Sequence, residues 1–192
     1  MTNRPRRVAL ALVAVLCATT GLSACNDQEG SDVTSVTGTC AMDSKQYDAL
    51  SPLSAAQLEA LLGEGDYRVT GTVRPGAGDV PEGGECSYSR GDDRDVLLEL
   101  GINRKTDLFR TYDEARALEK TDQARAIDGL DGYIVADPGS SDHGPLAVVF
   151  GPDHQVVTLH VVIPSKDAPG DAALGRAAKA AAEKLAQPMR KG

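Results

Sequence analysis

The spacing of apolar positions changes several times along this chain, and each change marks an expected element. Leu58, Leu61 and Leu62 recur at helical spacing within 54–63, where Ser54 and Gln57 form a capping box and Gly63 supplies a stop. The spacing predicts a helix whose leucine face is core. The period then drops to two: Tyr67, Val69, Gly71 and Val73 alternate with Arg68, Thr70, Thr72 and Arg74, as in a half-buried strand. Residues 75–85, rich in Gly, Pro, Asp and Glu, read as an exposed loop. Two strands, 85–90 and 95–103, flank Gly91-Asp92-Asp93-Arg94, with Val96, Leu98, Leu100 and Ile102 inward, which predicts a hairpin.

Thr111 and Glu114 make a second capping box, opening a short helix through Lys120 with Ala115 and Leu118 as its apolar side. Gly129-Leu130-Asp131-Gly132 turns the chain into a brief strand, 133–136, and 137–144 is a loop. The clearest hairpin joins 146–150 to 155–163 through Gly151-Pro152-Asp153-His154. With Pro152-Asp153 as the turn, Val148 faces Val157 and Leu146 faces Leu159. Leu146, Val148, Val157, Leu159, Val161 and Ile163 then share one buried side, and a bulge at the turn would slip this register by one. Residues 171–187 form an alanine-rich helix with Leu174, Ala177, Ala178, Ala181 and Leu185 as a narrow stripe. Tyr67, Tyr88 and Tyr133 stand at inward parity and belong to the core. This order of elements predicts an α+β fold, a single domain with helices packed on an antiparallel sheet.

Ahead of that domain the pattern is different. Arg4, Arg6 and Arg7 precede an apolar run at 8–16, the layout of a secretory signal, and the run falls short of the ~20 residues that span a bilayer. Leu22-Ser23-Ala24-Cys25 closes it and resembles the lipobox of bacterial lipoproteins. That resemblance implies cleavage between Ala24 and Cys25 and a diacylglyceryl group on the Cys25 thiol. The expected location is the extracytoplasmic face of the cell membrane, with the two acyl chains as a durable anchor. Residues 1–24 are thus read as signal peptide, and 25–39 as the lipidated cysteine followed by a polar linker, on the order of 20 Å as a flexible coil. The domain is expected over 40–188, with a tail at 189–192.

Removing residues 1–24 from 192 leaves 168, room for one domain. The signal carries three arginines and no acid, so 20 basic residues against 28 acidic become 17 against 28, a formal charge of −11 in place of −8. With no basic cluster outside the signal and the last residues, nucleic acid is excluded as a partner. Of four cysteines, Cys17 leaves with the signal and Cys25 takes lipid. Cys40 and Cys86 remain, an even pair outside the cytoplasm, and are expected to form a disulfide. Closing a loop of about 46 residues is worth about 4 kcal/mol on chain-entropy grounds.

No pattern in the chain supplies a catalytic residue or a cofactor site. Ser140-Ser141-Asp142-His143 has the letters of a triad, but adjacent loop residues do not converge. His154 and His160 lie six residues apart along one strand, about 20 Å, and cannot share an ion. His143 and His160, diagonal across the hairpin on its outward face, are the only metal candidates, and a site there wants a third ligand. Sugar stacking is disfavoured by the absence of Trp and the two Phe.

The lipobox, Cys40 ahead of Leu61-Leu62-Gly63, Cys86-Ser87-Tyr88, Gly129-Leu130-Asp131-Gly132-Tyr133 and the alanine-rich last helix together resemble a group of actinobacterial lipoproteins of unknown function that share two cysteines in a small α+β domain. The resemblance implies a disulfide-stabilised envelope domain and brings no catalytic residues. The expected function is therefore non-enzymatic binding of an envelope protein or a small apolar ligand, in a cleft between the sheet and the 75–85 and 137–144 loops. Two alternatives stand beside it: a metal-dependent or acid–base enzyme using His143 and His160, and a structural wall-associated spacer.

Overall fold

Both capping boxes form. The computed structural model describes residues 34–42, 50, 52–91, 93–104, 106, 108–136, 144–163 and 165–191. Within them the Gln57 side chain accepts from the Ser54 N–H at 2.6 Å and Ser54 Oγ accepts from the Gln57 N–H, opening helix α1 (Ala55–Leu62). Thr111 and Glu114 do the same for α2 (Tyr112–Leu118). The alanine-rich helix α3 (Asp171–Leu185) buries all five expected stripe residues together with Gly175 and Ala182.

The strands are β1 (Ser35–Gly38), β2 (Ala41–Met42), β3 (Asp66–Pro75), β4 (Pro81–Arg90), β5 (Val96–Ile102), β6 (Ala124–Ala126), β7 (Gly132–Val135), β8 (Leu146–Phe150) and β9 (Val156–Val161). They form one mostly antiparallel sheet in the order β1-β3-β4-β5-β9-β8-β7-β6. Only β1 and β2 run parallel to their neighbour, both beside β3. This is the α+β domain that the periodicities predict.

The inner face packs Tyr67, Val69, Val73, Tyr88, Leu98, Leu100, Ile102, Val157, Leu159 and Val161 beneath α1 and α3 in one continuous core. Here Tyr67 donates to the Gly63 carbonyl at 2.6 Å, and the Tyr88 hydroxyl accepts from the Leu53 N–H at 3.2 Å. Burial pushes the Tyr88 hydroxyl far up, so it stays protonated. Cys40 and Cys86 are bonded, fully buried in this core, with Cα atoms 5.6 Å apart across 46 residues of sequence. Position 71, the Cα partner of Cys86, is a glycine at φ 142, where a side chain would run into the β4 backbone.

A second, smaller core sits on the outer face, where Phe109, Ala115, Tyr133, Val135, Leu146, Val148 and Phe150 pack together under α2. Arg116 locks that helix down. Its guanidinium binds both oxygens of Asp131, at 2.6 and 2.5 Å, donates to the Tyr112 hydroxyl at 2.9 Å and to Glu119 at 3.1 Å, and stacks 3.6 Å from the Phe150 ring centroid. The turn motif around 129–133 serves this lock: Asp131 supplies the carboxylate and Tyr133 donates to the Ala115 carbonyl at 2.8 Å.

Several expectations change. Ser35–Gly38, inside the segment read as linker, pairs with β3, so ordered structure starts ahead of Cys40. Residues 75–85 are mostly strand: β4 begins at Pro81, and the turn is only 76–80, closed by the Gly76 N–H to Val80 carbonyl bond at 2.7 Å. The last hairpin takes the slipped register, with Val148 opposite Thr158 and Leu146 opposite His160. Asp153 and His154 both adopt left-handed φ, 54 and 60, in a three-residue loop closed from Gly151 to Gln155 at 2.8 Å. Leu146 and Val148 thus leave the side of Val157 and Leu159 for the second core, while Ala147 and Val149 face inward. The segment 189–191, expected to be a tail, docks on the 76–80 turn through the Met189 N–H to Asp79 carbonyl bond at 2.8 Å and the Lys191–Asp79 pair at 3.1 Å. Ala24, Cys25, His143 and nearly all of the 137–144 loop lie outside the described residues.

Candidate functional site

Over β3, β4 and β5 no described helix covers the outer face. Its outward positions on β3 are Arg68, Thr70, Thr72 and Arg74, all exposed, followed by half-buried Glu85, Ser87 and Ser89 on β4 and Leu97 and Glu99 on β5. Register sets these side chains in rows. Thr70, Ser87, Glu99 and His160 are successive Cα partners, and Thr72, Glu85, Gly101 and Thr158 form the next row. Strand spacing of about 4.8 Å puts neighbours within a row in contact range.

Arg104 arches back over this face from the end of β5. A Cβ at Gly101 would stand 2.5 Å from Thr158 Oγ1 and 3.2 Å from Arg104 Cβ, so only glycine leaves the arginine that path. Its Nη1 pairs with Glu85 and, at 3.5 Å, with Glu99. Burial pushes the Glu85 carboxyl above its ordinary value; Arg104 pulls it down, and the charge of Glu99 pushes it up again. One strongly coupled group of two carboxyls and a guanidinium results, with His160 beside Glu99 and Leu146 on the histidine's other side.

The order of residues limits what this group can do. In a nucleophilic triad the imidazole stands between hydroxyl and carboxylate. Here Glu99 stands between Ser87 and His160, which are two strands apart, about 10 Å, so the histidine is out of reach of the serine proton. Arg104 occupies the space between the carboxylates where a cation would otherwise sit. Among the described residues no three His, Cys, Asp or Glu side chains converge as metal ligands. The sequence reading found His160 but missed Glu85, Glu99 and Arg104. Outward strand parity for both glutamates was the available signal, and the return of Arg104 over Gly101 was not.

Two of the grooves lined by described residues stand out from this face. The larger, about 340 Å³, lies between 126–128 and the start of α3, with Ile127, Ile134 and Gly175 as apolar lining and Asp128, Asp171, Arg176 and Lys179 around it. Two of these four charges are paired, Asp171 with Arg125 at 2.8 Å and Lys179 with Glu183 at 3.3 Å. The smaller, about 210 Å³, lies between the end of β5, the start of α2 and the β8–β9 turn, which carries His154. The cleft expected between the sheet and the 75–85 and 137–144 loops involves residues 137–143, which lie outside the described residues.

No protein-family model matches the chain, and no curated protein or solved structure matches it. Function is therefore read from its own residues. Among the described residues no helix is long and apolar enough to cross a membrane.

Proposed function

We propose that this chain is a non-enzymatic envelope lipoprotein, anchored through Cys25 on the extracytoplasmic face of the membrane, whose domain docks a partner protein on the open face of β3–β5. The observation that carries this reading is the uncovered outward side of those strands, facing away from a core already filled by α1 and α3. That face is rich in Thr and Ser and carries Arg68 and Arg74 along β3, with Glu85 and Glu99, paired to Arg104, along β4 and β5. Opposite-sign stripes select a partner's register and orientation, which is how polar interfaces gain specificity. The lipobox and the resemblance to two-cysteine envelope lipoproteins support the location.

The test is site-specific photocrosslinking of the anchored full-length protein in its own membrane. A crosslinker at Thr70 or Thr72 is expected to give one discrete adduct, lost when Arg68 and Arg74 are both changed to Glu, while a crosslinker at Glu183 on α3 gives none. Equal labelling from both positions, or an adduct indifferent to the charge reversal, overturns the docking face. Mass spectrometry of the mature N-terminus separately checks the diacylglyceryl Cys25.

A further inference from the structure

We propose that the smaller groove, at the junction of the β5 end, the start of α2 and the β8–β9 turn, binds a small organic carboxylate. The guanidinium groups of Arg110 and Arg104 hold the carboxylate, and its carbon body rests against Phe109 and Tyr112. This goes beyond the partner-docking reading and uses a different surface, with Arg104 alone common to both.

Charge is the first observation. The whole chain carries −8, yet the described lining of this groove contains two arginines and a histidine and no carboxylate. The acids next to it in sequence, Asp113 and Asp153, are outside the described lining, and Glu114, one residue further along α2, is committed elsewhere, its Oε2 accepting the backbone N–H groups of Arg110 and Thr111 at 2.5 and 3.2 Å. Arg110 is exposed, and among the described residues its guanidinium has no ion-pair partner. Arg104 also lines the groove, and its ion pairs to Glu85 and Glu99 both use Nη1. A planar carboxylate is the acceptor that a guanidinium edge fits best.

Shape is the second. Phe109 and Val156, 3 and 4% exposed, lie at the base of the groove, and the half-buried Tyr112 ring is the apolar wall that a carbon body would meet. At about 210 Å³ the groove is smaller than the ~300–1,000 Å³ of pockets for drug-sized ligands, which limits the occupant to a small molecule. The walls are held rigidly. Asn103, at φ 47, donates to the Glu82 carbonyl at 2.8 Å and accepts from the Val156 N–H at 2.7 Å. His154, at φ 60, packs edge-on to Tyr112 with ring centroids 4.6 Å apart. Left-handed φ is uncommon for non-glycine residues, though less so for histidine, and the turn holds His154 there with its ring at the groove.

Amide-resolved NMR titration of the purified protein with benzoate, its neutral isostere benzamide and inorganic phosphate tests this. Benzoate is expected to shift the amides of 109–112 and 154–156 saturably, and benzamide and phosphate to bind about tenfold more weakly or worse, the loss of one charge-assisted hydrogen bond or of the apolar contact. Arg110→Ala should weaken benzoate by about tenfold while the thermal melt stays unchanged, and Arg110→Lys should recover part of that loss. Arg176→Ala, at the other groove, should leave benzoate affinity as it is. Absence of saturable shifts, equal binding of benzamide, phosphate as tight as benzoate, or indifference to Arg110→Ala each overturns the site. Crosslinking at Thr70 is unaffected by any of these results, so the two proposals fail separately.

Discussion

Replacing Arg116 by Met removes the lock on α2 while keeping an unbranched apolar stem of similar length. Four contacts go with the guanidinium, of which the i,i+3 pair with Glu119 at 3.1 Å adds only about 0.3 kcal/mol. The two-pronged bond to Asp131 involves a carboxylate that is 57% exposed, so it belongs on the scale of surface pairs, about 0.5–1 kcal/mol. The stack on Phe150 at 3.6 Å adds about 0.5–1 kcal/mol, since the arginine side chain is itself only 28% exposed. The bond to the Tyr112 hydroxyl contributes about 0.5–1 kcal/mol more. Together these give about 2 kcal/mol, or about 4–8 °C in Tm for a chain of this size. Arg116→Lys keeps the charge but loses fork and plane, and should cost about half as much. Urea unfolding followed by tyrosine fluorescence and far-UV circular dichroism measures both, the chain having five Tyr and no Trp. Arg116 holds the Asp131 carboxyl below the usual carboxylate range. Stability from a carboxyl whose folded pKa is depressed is present above its unfolded pKa and lost as pH falls through the folded one, so the Arg116→Met deficit should be largest at neutral pH and shrink in acid. A variant as stable as the parent at pH 7, or a deficit of the same size at pH 7 and pH 3, would refute this account of how α2 is held.

Changing Cys40 and Cys86 together to Ala opens the 46-residue loop and should lower stability by about 4 kcal/mol, with amide hydrogen exchange rising first in β1 and β2; unchanged protection there would show that the strands hold without the bond. Glu85→Gln should gain stability relative to the parent as pH rises from 4 to 7: burial lifts the Glu85 carboxyl, so its favourable share is complete below the unfolded pKa and is lost as pH climbs through the folded one. Urea midpoints at the two pH values measure it, and a parallel pH dependence in the two proteins contradicts the assignment. Gly132→Ala drives a methyl into the β8 backbone, at the Val148 carbonyl and 3.0 Å from Val149 Cα, and should cost about 1–3 kcal/mol in thermal or urea unfolding; a neutral result means that β7 can move away from β8.

The parts of this fold legible in the sequence are those dictated locally. Two capping boxes place two helices, strict alternation places Tyr67, Val69 and Val73 in the core, and the two remaining cysteines find each other. What escaped depends on neighbours distant in sequence. Ser35–Gly38 reads as linker because Ser-Val-Thr-Gly is polar and short, and only the edge of β3 makes it a strand. Gly83 and Gly84 read as loop, yet Gly83 leaves space for the Arg74 guanidinium to lie across it, and Gly84 lets β4 close tightly on β3. The Leu146–Phe150 run is apolar at every position because α2 covers its outer side as α3 covers its inner one, and a strand buried on both faces carries no alternation from which to choose a register. The two left-handed residues of the 152–154 loop then decide it. At the candidate site the same division holds: parity marks Glu85, Glu99 and His160, but the meeting of the two glutamates with Arg104 is made by chain that has already left the strand.

The direction of β1 has a mechanical consequence. Because Ser35–Gly38 lies alongside β3 and points the same way, traction along the strand from the chain ahead of it strains those hydrogen bonds in shear, all together, instead of peeling them one at a time. Whatever load passes them meets the covalent staple from Cys40 into β4 two residues later, so a pull applied ahead of β1 is delivered to an interior strand and not to the edge of the sheet.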